Sequence, residues 1–141
     1  MFALGQRPTT SPIQQTQAVI VTGTFEPLQL EESNRAVNSF EVTKSPELTT
    51  SFVDYLHQDA SVDLQQREIN GVQADLSIRG SSFGQTLVLL NGFRINDAQT
   101  GHHNLDIPIP LEALDQIEVL HGSGSTLYGA DALGGAVNFV T

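Results

Sequence analysis

Apolar positions along this chain fall into short periodic blocks, and each block predicts a different element. Asn38 to Thr43 alternates, with Phe40 and Val42 on one side, as a half-buried strand does. Ser45-Pro46-Glu47 predicts a helix start: Ser caps, Pro suits the first helical position and Glu favours the positive end of the helix dipole. Leu48, Phe52 and Leu56 then recur every fourth residue, with Val53 beside them, giving that helix one apolar face. Val62 and Leu64, and further on Leu76 and Ile78, alternate as two strands around a polar loop. Residues 87–90 are continuously apolar, as in a strand covered on both faces. Asn91-Gly92 follows directly and suits a two-residue hairpin turn, which needs positive φ at both central positions. Residues 97–106 are a polar loop, Pro110 to Asp115 one or two helical turns, and Ile117 to Leu120 a strand. Ser125 to Leu133 is helix-like but broken at Gly129, and Ala136 to Val140 is a closing strand.

The N-terminal part has a different texture. Residues 1–17 are rich in Thr, Gln, Pro and Ser and have almost nothing to bury, so they read as a disordered tail. Ala18-Val19-Ile20-Val21-Thr22 is an uncharged, β-prone island, and residues 25–35 are polar and acidic and read as a linker. The division is therefore a flexible segment over 1–35 and a folded domain over 36–141. No internal repeat is present. The expected class is α+β: a small mixed β-sheet with short helices and long loops.

Length and charge narrow the function classes. A chain of 141 residues has core enough to fold alone. Sixteen acidic against six basic residues give a net charge of -10, which argues against nucleic acid and anionic lipid surfaces as partners. The absence of cysteine removes disulfides and thiolate metal sites. No run of eighteen apolar residues is present to span a membrane as a helix. Met1 to Gly5 is too short and uncharged for a complete signal peptide.

Candidate chemistry is sparse. Gly122 and Gly124 match the first two glycines of a dinucleotide-binding loop, but Leu127 stands at the third; the alternative phosphate loop over Gly124 and Gly129 has Ala130 where Lys must reach the phosphates. Both patterns fail at a residue that carries chemistry, so nucleotide binding is rejected. His102 and His103 with Asp106 offer metal-ligand types, yet adjacent histidines diverge on an extended chain, and a solvated loop is the favoured reading. Ser81 and Ser82 lack a nucleophile context, and Glu31-Glu32 read as a solvated pair in the linker. No catalytic constellation, cofactor site or metal site is expected, and the chain does not read as an enzyme. Arg79, Arg94 and Glu118 flank apolar strand positions and are the charges expected to matter inside the fold.

Four motifs in order change the picture: Ser77-Ile78-Arg79-Gly80, the Leu87 to Asn96 hairpin, Ile117 to Gly122 running into Tyr128-Gly129, and Asp131 to Asn138. Together they resemble the plug domain of TonB-dependent outer-membrane receptors, most closely the cobalamin-receptor branch, with weaker matches reaching back to Ala18. The resemblance implies a plug fold inside a roughly 22-stranded β-barrel. No succession of barrel-like alternating segments lies within these residues, so the barrel is expected outside this chain; the competing class is a stand-alone periplasmic binding module with a plug fold.

The resemblance also assigns roles. Residues 18–24 are similar to a TonB box, an uncharged extended segment that the C-terminal domain of TonB adds to a sheet edge, with Val19, Ile20, Val21 and Thr22 as the interacting residues; the alternative is an ordinary first strand of the domain. The loops at 66–71 and 97–104 take the place of outward loops that contact a small-molecule cargo, a corrinoid, siderophore or sugar. Their candidate residues are Gln66, Arg67 and Glu68, and Asn96, Gln99, Thr100, His102, His103 and Asn104. Arg79, Arg94, Glu118, His121 and Tyr128 become candidates for structural or plug–barrel contacts. The implied location is the outer membrane, with the N-terminus towards the periplasm. One departure stands out: the family commonly has Arg-Gly-Pro where this chain has His121-Gly122-Ser123, which puts one family salt bridge in doubt; the alternatives for His121 are pairing with a barrel carboxylate and, as the favoured reading, filling a turn.

Overall fold

The computed structural model describes residues 19–20, 28–29, 36–42, 49, 51–67, 74–96 and 100–141. Its centre is a five-stranded mixed sheet. The strands are β3 (Val37–Glu41), β6 (Thr86–Leu90), β7 (Phe93–Arg94), β8 (Gln116–His121) and β9 (Gly135–Val140), in the order β3-β8-β9-β6-β7. All neighbouring pairs are antiparallel except β6 and β9, which run parallel from Thr86↔Gly135 to Leu90↔Phe139. The last strand, expected to close the domain, is instead the central one. Its Ala136, Val137 and Phe139 are fully buried, because it has a strand on either side and a layer on either face.

The apolar run at 87–90 is explained by that double cover. Val88 joins Ile117, Val119, Val137 and Phe139 in the larger core, while Leu87 and Leu89 join Val37, Leu120, Ala132 and Ala136 on the opposite face. Each fully buried side chain of this size contributes about 1.5–3 kcal/mol over leaving it exposed. The Asn91-Gly92 turn forms as the sequence predicts, with φ of 51° and 81°. Asn91 is tied to the chain end, its Nδ2 donating to Thr141 Oγ1 at 2.9 Å. The Gly92 N–H donates to Asn138 Oδ1 on the central strand.

A two-stranded antiparallel unit, β4 (Val62–Gln66) and β5 (Ala74–Ile78), packs Leu76 and Ile78 into the larger core. Gly134 shows why no side chain is tolerated at the start of β9: a Cβ there would lie 2.2 Å from Ser81 Oγ. Helix α1 (Phe52–Leu56) covers the same core with Tyr55 and Leu56, and the Phe52 ring meets Phe139 edge-on at 5.7 Å. It does not begin where Ser45-Pro46-Glu47 suggests; those residues lie outside the described set, but Thr49 is non-helical. The helix start is set by Ser51 and Asp54, a reciprocal capping box that satisfies two otherwise orphaned N–H groups. Helix α2 (Ser125–Tyr128) ends at Gly129, φ 85°, and a 3-10 turn over Ala130–Ala132 follows, so the predicted break is real.

In the N-terminal part, β1 (Val19–Ile20) pairs antiparallel with β2 (Leu28–Gln29) as a separate two-stranded ladder. The stretch read as a linker therefore contains a strand. Val21 and Thr22 lie outside the described residues.

Candidate functional site

The two loops singled out from the sequence converge on a residue that the sequence reading passed over, Asp75. Strand β5 alternates Ala74, Leu76 and Ile78 into the core, which turns Asp75 and Ser77 to the other side. The 3-10 turn Gly101–His103 closes over that side. The Asp75 carboxylate is only 8% exposed, and both its oxygens are taken. His102 Nδ1 lies 3.0 Å from Oδ1 and 3.1 Å from Oδ2, and Arg67 NH2 donates to Oδ2 at 3.0 Å. A carboxylate only accepts, so His102 Nδ1 carries the proton in this contact. Burial raises the Asp75 pKa, but the hydrogen bonds and charges of His102 and Arg67 outweigh it and hold the group below the ordinary carboxylate value.

An aromatic neighbour fixes the arrangement. The Phe83 ring lies 4.4 Å from the His102 ring, tilted by 34°. Gly101 makes room for it: a Cβ there would lie 2.7 Å from Phe83 Cδ2. Beside this cluster is a cleft of about 250 Å³ bounded by Gln65, Asp75, Ser77, Ser82 and Phe83, among others.

The other cargo-loop candidates divide. Gln66 and Thr100 are exposed. Asn96 is not an outward group: its Oδ1 accepts from the Val88 N–H at 2.6 Å and its Nδ2 donates to Thr86 O, so it finishes the hydrogen bonding of β6. Asn104 is buried rather than exposed. Glu68 and Gln99 lie outside the described residues, and for His103 only the backbone is described, in the 3-10 turn. The loop is thus not simply solvated at His102, because Asp75 draws that ring inward.

The candidates for structural contacts also sort by position. His121, at the end of β8, places Nε2 at 2.7 Å from Asp59 Oδ2, with side chains only 9% and 3% exposed. Among the described residues its carboxylate partner is thus Asp59, within the chain itself. Asp59 also accepts from Asn38 Nδ2 at 2.9 Å and from the N–H and Oγ–H of Ser61 at 2.9 and 2.7 Å. Burial raises its pKa, and these hydrogen bonds together lower it below the ordinary value. Arg94 is on the surface rather than inside, paired with Asp131 and donating to the Tyr128 carbonyl at 2.6 Å. Tyr128 itself packs part-buried on the smaller core. Arg79 is exposed too, on a turn with φ 54°, and pairs with no acid among the described residues. Glu118 is the one predicted charge that is buried, held by Gln116 Nε2 at 2.6 Å and Asn138 Nδ2 at 3.1 Å.

The family described as TonB-dependent Receptor Plug Domain matches residues 28–136. The chain is 34% identical over 134 residues to the vitamin B12 transporter BtuB of Vibrio vulnificus strain YJ016, covering 92% of this chain and 21% of that protein. It is 44% identical over 78 residues to the iron-regulated outer membrane virulence protein of Vibrio cholerae serotype O1, covering 50% of this chain and 12% of that protein. Among solved structures, the unliganded ferric citrate transporter FecA superposes with a TM-score of 0.64 at 26% identity, over 78% of this chain and 18% of that one. The chain thus spans about a fifth of the length of the curated relatives it matches over nearly all its residues. From the family match across 28–136, which takes in four strands of the central sheet and the start of the fifth, this chain belongs to the TonB-dependent receptor plug domains.

Proposed function

We propose that this chain is the plug of an active transporter of the outer membrane. It occludes the lumen of its own roughly 22-stranded β-barrel, contributes to binding of a small-molecule cargo and couples to TonB, with its N-terminus towards the periplasm. The plug-family match over residues 28–136 is the observation that carries this reading. It is a transport role without catalysis, in keeping with relatives that are transporters and outer-membrane proteins by name.

Coupling falls to residues 18–24. Val19 and Ile20 are extended, as strand addition requires, and their pairing with Leu28–Gln29 would have to be shared or exchanged when TonB takes the segment up. The cargo side falls to the loops around Asp75, where Arg67 and His102 from the two candidate loops meet. The test is binding of the cognate TonB C-terminal domain to wild type and to Val21→Pro. Proline removes a donor and fixes φ, so the variant is expected to lose at least about tenfold in affinity while keeping its near-ultraviolet dichroism. Equal affinity of the two would overturn strand addition at this segment.

A further inference from the structure

We infer that Arg67 binds the oxyanion of a small ligand, and that Asp75 and His102 are the positioning residues that hold its guanidinium for that purpose. The inference rests on reading the 66–71 and 97–104 loops as the cargo side. It begins with which groups a ligand would meet. Asp75 lies beneath the surface with both oxygens already occupied, so it offers nothing to a visitor. The accessible donor above it is the Arg67 guanidinium, its side chain 53% exposed, beside a His102 ring 37% exposed. Arg67 uses only NH2 towards Asp75, leaving Nε and NH1 without a partner among the described residues. A ligand fitting these groups must bring acceptors, and a planar oxyanion matches the guanidinium fork in two parallel bonds.

Arg67 is distinguished from the other described cations by its support. Arg94 is already committed to Asp131 and the Tyr128 carbonyl, and Arg79 rides on a turn and pairs with no acid among the described residues. Under Arg67 there is a buried carboxylate, a histidine stacked on Phe83 and a glycine at 101 that lets that ring approach. The adjoining cleft of about 250 Å³ meets the cluster at Asp75 and Phe83 rather than at Arg67 itself, and its Phe83 ring suits an apolar or aromatic body attached to the anion. The net charge of -10 does not decide against this. At physiological ionic strength the fields of distant exposed charges are screened beyond about 8 Å, whereas the guanidinium contact is direct.

The probe is benzoate, with benzamide as its neutral isostere, titrated into the chain and followed by side-chain and amide resonances. Wild type is expected to show shifts at Arg67, His102 and Phe83 with benzoate, and at least about fivefold weaker binding of benzamide. Arg67→Gln is expected to remove that preference, and retention of it would overturn the anion site. Asp75→Asn separates positioning from charge. Deleting an acid beside an anion site should tighten binding on Coulomb grounds alone, whereas loss of positioning weakens it several-fold. Tighter or unchanged benzoate binding would overturn the positioning role. Should Asp75→Asn fail to fold, His102→Gln takes its place with the same expected weakening. The cargo-side reading stands on a different measurement, made in cells carrying the full-length receptor with Gln66→Cys or Thr100→Cys. Reaction with a membrane-impermeant thiol reagent from outside supports that reading, and absence of reaction overturns it whatever benzoate does.

Discussion

Two aspartate–histidine contacts in this domain use the same chemistry and differ in what surrounds them. Asp59 and His121 meet at 2.7 Å with both side chains nearly sealed, and Asn38 and Ser61 supply the remaining donors to the acid. The contact joins the end of β8 to the turn after α1, 62 positions apart in the chain. Asp75 and His102 meet at 3.0 Å, with the acid equally buried but the imidazole open to solvent and Arg67 as the further donor. The first contact completes its own hydrogen bonding and leaves no group to offer a ligand. The second satisfies the acid and leaves the Arg67 guanidinium at the surface. An acid–base pair is therefore a fastening or a site according to which partner remains exposed.

The sharpest way to break this contrast is to remove the acids. Asp59→Ala takes the partner from the nearly sealed His121 and removes the acceptor shared by Asn38 and Ser61, so a loss of about 3 kcal/mol is expected in urea unfolding. Asp75→Ala releases two partners that water can reach, and about 1 kcal/mol is expected. Equal losses would mean that exposure of the bases does not separate the two contacts.

A smaller effect follows from pH. Both aspartates are held below the ordinary carboxylate value of 3.8 in the folded state. A lowered folded pKa means that the stabilisation is fully present above the unfolded value and is lost as pH falls through the folded one. Urea midpoints of wild type should thus drop on acidification below about pH 4, and each Asp→Asn variant should lose part of that acid dependence. A wild-type acid limb unchanged in both variants would place its origin in other carboxylates.

The smallest expected effect sharpens the contrast on the base side. His102→Gln should change global stability by no more than about 0.5 kcal/mol, as for other exposed positions. Amide exchange across 100–104 should nevertheless accelerate, because the ring contact with Phe83 and the bond to Asp75 fasten that turn. Unchanged exchange there would show that the turn is held by its buried Asn104 and Leu105 alone.

Much of the fold was legible because its signals are local. Alternation marked β3, β4 and β5, the apolar run marked β6, and Asn91-Gly92 fixed the hairpin through the φ values its residues tolerate. The four motifs carried the family because their spacing is itself written along the chain. What stayed illegible depends on residues far apart in sequence. Asp75 reads as a solvent-facing position in the alternation of β5, since nothing nearby announces the turn at 101–103 that covers it. Asp59 looks like an ordinary turn residue until β8 brings His121 to it. Asn96 looks like a loop polar group until β6 claims both ends of its amide. The sequence by itself determined which segments are strands, where they turn and to which family they belong, because backbone preferences and side-chain alternation act over a few residues. Only the tertiary structure decided that the last strand is central, that His121 answers to Asp59 and that Arg67 and His102 share Asp75, because strand order and long-range burial choose those partners.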